Sequence, residues 1–253
     1  MAMAAIGQAA YTGQKGRNLA LAGLVLALLA ACEAPVPGGS APAYAPAPDL
    51  PPPEVQVENF ISVARRMEPQ IEAECRARTR GRNCDYQIVV DDRPDQPANA
   101  FQTEDKYGRP VVGFTLGLIA EAANRDELAF VMGHEAAHHI AGHLQSKTRD
   151  AVAGALILGV LAAAGGGDAG AISRAQDLGA SVGARTYSKD YELEADELGT
   201  VITWNAGYDP LRGAQFFTRI PDPGNRFLGT HPANRLRMDV VRATVEALRA
   251  GQL

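Results

Sequence analysis

The chain has 253 residues and 46% apolar content, enough for one sizeable hydrophobic core and a terminal extension. It carries 24 lysines and arginines against 29 aspartates and glutamates, a formal net charge of −5. This acidic balance argues against nucleic acid as a partner.

The first 31 residues have the pattern of an export signal. Lys15 and Arg17 form a positive segment, and Asn18 to Ala31 is an almost continuous apolar run, too short for a comfortable membrane span. The run ends in Leu29-Ala30-Ala31-Cys32, which looks like a bacterial lipobox, in which the cysteine takes a lipid and becomes the mature N-terminus. An ordinary secretory signal with an incidental cysteine is the alternative.

A stretch rich in proline, alanine and glycine follows, from Ala34 to Pro53, and its composition predicts an extended tether. We therefore expect a signal peptide in residues 1–31, a lipidated Cys32 with its tether in 32–53, and the folded domain in 54–253. The lipid would anchor the protein in the periplasm, at the outer membrane rather than the inner one.

The folded part begins with helical periodicity from Val55 to about Arg78, and Pro69 is expected to kink or divide this helix. Its apolar stripe is expected to be Val57, Phe60, Ile61, Ala64 and Met67. In an exported protein Cys75 and Cys84 should be bridged, closing a short loop. A zinc site made by these two thiols is the alternative, but it lacks nearby partners.

Three short segments predict a small sheet. Tyr86 to Val90 alternates and ends in β-branched residues, while Phe101 and Val111 to Thr115 suggest two more strands. The predicted fold class is therefore α+β, predominantly helical, with the sheet beside the helix that comes next.

That helix carries the most informative motif of the chain, His134-Glu135-Ala136-Ala137-His138. Asn124 to Glu127 resembles an N-cap with a carboxylate at the third helical position, and apolar residues follow at helical spacing. Residues four apart share one helix face, so both imidazoles can bind one ion. Glu135 can take a proton from water but is poorly placed to ligate. A surface helix that carries histidines by chance is the alternative.

A second pair of histidines, His139 and His143, has the same spacing. Ile140 occupies the position where a base would be needed, so His134 and His138 are the predicted metal ligands. We expect the second pair to be packing groups or supports of the ligands.

Ala151 to Gly166 is a second apolar run, too short for a convincing transmembrane helix. We expect a buried or partly exposed core helix here. The alternative is a mobile flap, because the consecutive glycines from Gly165 to Gly167 can act as a hinge.

Zinc that hydrolyses peptides usually has three protein ligands and a water. The best candidate for the third ligand is Glu192, four residues before Asp196 on a predicted helix. Asp196 can hold a ligating histidine through its other ring nitrogen, and Ala195 is small enough to let two helices approach closely. A solvated acidic helix face is the alternative.

Beyond that helix, residues 211–220 predict a short helix and residues 232–248 predict a final amphipathic one. His231 lies on the turn that leads into the last helix, directly before Pro232. On its own, such a lone histidine is more often structural than functional.

Together the motifs resemble the HtpX-like zinc endopeptidases, a family that includes the CAAX prenyl proteases and bacterial periplasmic quality-control proteases. The family carries H-E-x-x-H on one helix and E-x-x-x-D on a later one, and both stand here, at His134 to His138 and at Glu192 to Asp196. Asn99-Ala100-Phe101 and Thr230-His231-Pro232 are further matches. The resemblance spans nearly all of the predicted folded domain.

The resemblance implies a zincin-like domain with one Zn²⁺ per chain, held by His134, His138 and Glu192. It implies Glu135 as the general base and Asp196 as the group that orients a ligand. The last strand of the sheet is expected to be the edge to which an extended substrate adds.

His231 is implied as a site residue that either stabilises the oxyanion or caps the zinc as a removable ligand. The implied substrates are unfolded or misassembled envelope proteins. The resulting hypothesis is a zinc-dependent endopeptidase of the bacterial cell envelope.

Two other functions fit parts of this pattern. One is a chaperone-like binding module for envelope assembly with a latent zinc site, and the other is a zinc hydrolase of cell-wall peptides. Glu135 favours an enzyme over the binding module, because a structural metal site has no need of a base.

Overall fold

A computed structural model of the chain describes residues 49–94, 96–186, 188–219 and 233–253. The predicted signal peptide, Cys32, most of the tether and His231 lie outside these ranges. The described strands are β1 (Gln87–Asp91), β2 (Ala100–Glu104) and β3 (Pro110–Thr115). The described helices are α1 (Pro53–Arg78), α2 (Leu116–Glu121), α3 (Arg125–Ala141), α4 (His143–Ala164), α5 (Ala169–Thr186), α6 (Ser188–Asn205), α7 (Pro210–Gly213), α8 (Phe216–Arg219) and α9 (Asn234–Arg249). The predicted α+β class, mostly helical with a small sheet, is confirmed.

Helix α1 runs unbroken through Pro69, so of the kink or division predicted at that residue the division does not occur. Its buried apolar face consists of Phe60, Val63, Met67, Ile71 and Cys75. Val57 and Ile61, which the sequence placed on this face, are exposed. Phe60 and Met67 are buried as predicted and Ala64 packs against the core, so the predicted stripe is correct at three of its five positions.

The disulfide between Cys75 and Cys84 is present, as predicted. It joins the end of α1 to the segment that enters β1. Tyr86, just beyond it, is fully buried and donates its hydroxyl to the carbonyl oxygen of Ala136 at 3.0 Å. The disulfide and this hydrogen bond thereby tie the segment that enters β1 to α1 and to α3.

The sheet has the order β1-β3-β2, with β1 parallel and β2 antiparallel to β3. The prediction that the segment from Val111 to Thr115 forms the edge is therefore wrong, because β3 is central. Its apolar sequence suits a strand with neighbours on both sides, and Val112 and Phe114 are fully buried. The edge strand that packs beside α3 is β2.

Helix α3 lies in the core of the domain. Its N-cap is confirmed, because the Asn124 side chain accepts from the backbone N–H of Glu127 at 3.1 Å, and the Glu127 carboxylate accepts from that of Ala123 at 2.8 Å. The helix ends at Gly142, whose φ of 78° only glycine adopts readily. Almost every residue between these two ends is buried.

Helices α4 and α5 pack on each other along their lengths as a hairpin. Gly154 and Gly179 face each other with no room for a Cβ on either. The large apolar side chains of α4 point outward and are 55–65% exposed: Val152, Leu156, Ile157, Val160 and Leu161. The predicted helix is present, but its large apolar side chains are not buried in the core, since its packing on α5 is made by small residues. Among the described helices, none has the length and apolarity needed to cross a membrane.

Candidate metal centre

Helices α3 and α6 carry the site, and their backbones touch through two glycines. A Cβ on Gly199 would lie 2.8 Å from the backbone nitrogen of His134, and one on Gly133 would lie 2.9 Å from the carbonyl oxygen of Gly199. Ala195, the small residue that the sequence singled out, is also fully buried. The predicted close approach exists, but the glycines set its distance.

This approach brings His134, His138 and Glu192 together. The two imidazole Nε2 atoms are 3.2 Å apart, and the Glu192 carboxylate oxygens lie 3.4 Å from Nε2 of His134 and 3.5 Å from Nε2 of His138. A tetrahedral zinc ion with bonds of about 2.0–2.2 Å requires ligand atoms about 3.3–3.6 Å apart. Among the described residues, these three form the cluster of histidine and carboxylate groups that could hold a metal ion.

Ionisation within the cluster also suits a cation. Burial, reinforced by the positive groups nearby, lowers the pKa of His138 to about 2, so its ring is neutral, the form that binds metal. Burial likewise disfavours a charged His134, but hydrogen bonds to Asp196 and Glu192 outweigh it and raise its pKa to about 9. The carboxylates around His134 thus attract positive charge, and a metal ion that binds there would displace the proton of the His134 ring.

Asp196 holds His134 from behind. Its Oδ1 lies 2.9 Å from Nδ1 of His134, the ring nitrogen that faces away from the cluster. This is the contact that the sequence predicted for Asp196, and it directs Nε2 of His134 toward the other candidate ligands.

Arg237 on α9 forms a buried ion pair with Asp196. Its guanidinium donates to both carboxylate oxygens, at 2.8 and 2.7 Å, and its centre lies 3.5 Å from the ring centroid of Phe217. Sequence reasoning gave Arg237 no role. A signal was present, because the arginine shares the buried face of a helix with Met238, Val241 and Val245.

Glu135 lies beside the ligand cluster and lines a cleft of about 530 Å³. Burial raises the pKa of its carboxyl group, a direction that suits a group that both accepts and returns a proton. One wall of the cleft is β2, through Ala100, Phe101 and Gln102. Apolar side chains also line it, among them Leu118, Val131 and Phe217.

The second histidine pair divides into two roles. His139 donates from Nε2 to the carbonyl oxygen of Asn83 at 2.8 Å and packs edge-on against Tyr86. His143 contacts His138 directly, with the two Nδ1 atoms 2.8 Å apart. The structure thus gives His139 packing contacts and places His143 beside a candidate ligand. His231 lies outside the described residues, so its assignment stays a prediction.

Comparison with known proteins agrees with the geometry. Residues 60–245 match the model of peptidase family M48. Over 138 residues the chain is 35% identical to a Vibrio cholerae protein named "putative beta-barrel assembly-enhancing protease". The match covers 51% of this chain and 27% of that protein, so the chain spans about a quarter of its relative's length. The chain therefore belongs to peptidase family M48, and its folded part is a metallopeptidase domain.

Proposed function

We propose that the protein is a zinc-dependent endopeptidase of the bacterial cell envelope that cleaves unfolded or misassembled polypeptides. The observation that carries this proposal is the spacing of the three candidate ligand atoms, 3.2–3.5 Å, with the Glu135 carboxylate beside them in an open cleft. A latent or structural site would have no use for a carboxylate base next to the ligands.

His134, His138 and Glu192 would hold the ion, and Asp196 would orient His134. A Zn²⁺ ion at this position supplies polarisation of the scissile carbonyl and makes a water nucleophilic at neutral pH. Glu135 accepts the proton of the attacking water and then passes it to the leaving amine, so one carboxylate acts as base and then as acid.

The edge strand positions the substrate in this mechanism. β2 pairs with β3 on one side, and its residues Ala100 to Gln102 line the cleft on the other. An extended peptide that pairs with β2 would lie across Glu135 with its backbone hydrogen-bonded, and this binding is independent of sequence. The apolar lining from Leu118, Val131 and Phe217 favours an apolar substrate side chain next to the cleaved bond.

The envelope address is part of the proposal. It is supported by the lipobox-like Leu29 to Cys32, by the disulfide between Cys75 and Cys84, which persists in oxidising compartments, and by a relative named for beta-barrel assembly. His231, from the resemblance stated above, is proposed as a removable cap of the zinc.

Metal removal tests the function directly. Purified protein should contain one zinc per chain and degrade casein. Chelation should abolish the degradation, and added Zn²⁺ should restore it. Zinc-loaded protein that binds casein without cleaving it would instead support the chaperone-like alternative. Cleavage of cell-wall peptides but not of casein would support the zinc hydrolase of cell-wall peptides.

A further inference from the structure

His138 begins a hydrogen-bonded chain that leads from the candidate metal site to the surface. Its Nδ1 lies 2.8 Å from Nδ1 of His143, and Nε2 of His143 lies 3.1 Å from Oε2 of Glu194. The His143 side chain is 2% exposed, whereas that of Glu194 is 59% exposed. The ring of His143 also stacks on Tyr191, with centroids 4.7 Å apart, so its orientation is fixed.

The chemistry of these groups gives the chain a direction. An ionised carboxylate only accepts hydrogen bonds, so Nε2 of His143 carries the proton that is donated to Glu194. A neutral imidazole has one ring proton, so Nδ1 of His143 must accept, and Nδ1 of His138 must donate to it. The lone pair of His138 is then on Nε2, the atom that faces His134 and Glu192.

The two candidate histidine ligands are therefore oriented by carboxylates of the same helix, in different ways. Asp196 contacts His134 directly, at 2.9 Å. Glu194 acts on His138 through the ring of His143. Glu194 lies between Glu192 and Asp196 on α6, so one helix supplies both supports and the third ligand.

We propose that His143 and Glu194 are positioning residues for the metal, because they fix the tautomer of His138 that presents Nε2 to the ion. The inference rests on the proposed metal site and deepens it. Groups that hold a ligating histidine commonly contribute 10–100-fold, roughly, to metal affinity. The expected effect is therefore on zinc affinity itself, independent of any measurement of activity.

The test is a zinc titration of the purified full chain against a competing chelator. His143→Phe keeps a ring against Tyr191 but removes the acceptor, and it should weaken zinc binding about 10–100-fold. His143→Asn places an acceptor near the position of Nδ1 and should retain more of the affinity than His143→Phe. His139→Phe is the matched control and should bind zinc as the wild type does.

Glu194 gives a second test that does not disturb the core. Glu194→Ala should weaken zinc binding about tenfold, at the low end of such effects. Glu197→Ala, an exposed carboxylate one turn further along α6, controls for the loss of negative charge and should have no effect. Thermal unfolding of the metal-free variants distinguishes weaker zinc binding from loss of the fold. If His143→Phe does not fold, the comparison of Glu194→Ala with Glu197→Ala tests the proposal.

Wild-type affinity in both His143→Phe and Glu194→Ala would overturn the proposal, and so would equal losses in His143→Phe and His143→Asn. Failure of the wild-type protein to bind zinc in the same titration would instead overturn the proposed metal function.

Discussion

Arg237 and Asp196 form a charge pair that is buried directly behind His134. The Arg237 side chain is 5% exposed, at the edge of the cleft, and that of Asp196 is fully buried. Taking two charges out of water is costly, and their mutual attraction offsets this cost only while both are present. The pair therefore couples the stability of the fold to the orientation of a candidate metal ligand.

Replacing Arg237 should expose this coupling. Arg237→Met leaves the Asp196 carboxylate buried without its partner and should lower the free energy of unfolding by about 3–5 kcal/mol. Urea denaturation of the metal-free protein measures the change. Arg242→Met is the control on the same helix, because Arg242 forms an exposed ion pair with Asp239. That substitution should change stability by less than about 1 kcal/mol, and equal effects of the two would remove the proposed role of Arg237.

At the scale of elements, the site depends on how closely α3 and α6 approach. The Gly133–Gly199 contact lets the backbones meet, and this distance brings Glu192 to His134 and His138. A side chain at either glycine must push the helices apart, and the carboxylate of α6 would then move away from the imidazoles of α3.

Gly199→Ala should therefore weaken zinc binding and lower stability by about 1–3 kcal/mol, the usual cost of overpacking a core. Gly170→Ala in α5 is the matched control, because a Cβ there meets only side-chain atoms at 3.3 Å or more. As a helical glycine with room, Gly170 should tolerate alanine with no loss of stability. Zinc affinity and urea denaturation are measured for both variants. A Gly199→Ala protein with the zinc affinity and stability of the wild type would show that the helix contact does not set the ligand distances.

The disulfide also connects two elements, since it joins the end of α1 to the segment that enters the sheet. In the chain-entropy model, closing so short a loop stabilises the fold by about 2–3 kcal/mol. The double variant Cys75→Ala, Cys84→Ala should lose about this much in urea denaturation and should match the reduced wild-type protein. A variant as stable as the oxidised wild type would show that the bridge contributes nothing.

At the scale of the whole molecule, features set by nearby residues in the sequence could be predicted, whereas the packing of elements distant in the sequence could not. The α3 N-cap, the disulfide and the grouping of His134, His138 and Glu192 follow from spacing and chemistry, and the structure brings these residues together. The position of β3 in the centre of the sheet, the pairing of Arg237 with Asp196 and the exposed apolar face of α4 all depend on which element packs beside which. The residues within one element do not indicate which other element will pack against it.

Helix α4 shows this most clearly. A run of seventeen residues without a charge, Ala151 to Gly167, predicts burial if hydrophobicity alone is considered. The hairpin partner α5 approaches through glycines such as Gly179, and this contact uses the small residues of α4 and leaves the large ones outside. The glycines and alanines of α4 were the sequence signal that could have indicated which face of the helix packs on α5.

The predicted envelope address also concerns the whole protein. Mass spectrometry of protein isolated from membranes should find Cys32 as an acylated N-terminus. Cys32→Ser should release the folded domain into the soluble periplasmic fraction, with its zinc content unchanged. An unmodified N-terminus elsewhere in the chain would exclude the lipoprotein hypothesis and leave the peptidase proposal intact.

The central claim is that Glu135 performs chemistry at a metal held by other residues. Glu135→Gln is nearly isosteric, but an amide cannot accept the proton of the attacking water. The variant should retain one zinc per chain and the unfolding transition of the wild type, while cleavage of casein falls to background. Full proteolysis by zinc-loaded Glu135→Gln protein would contradict the mechanism.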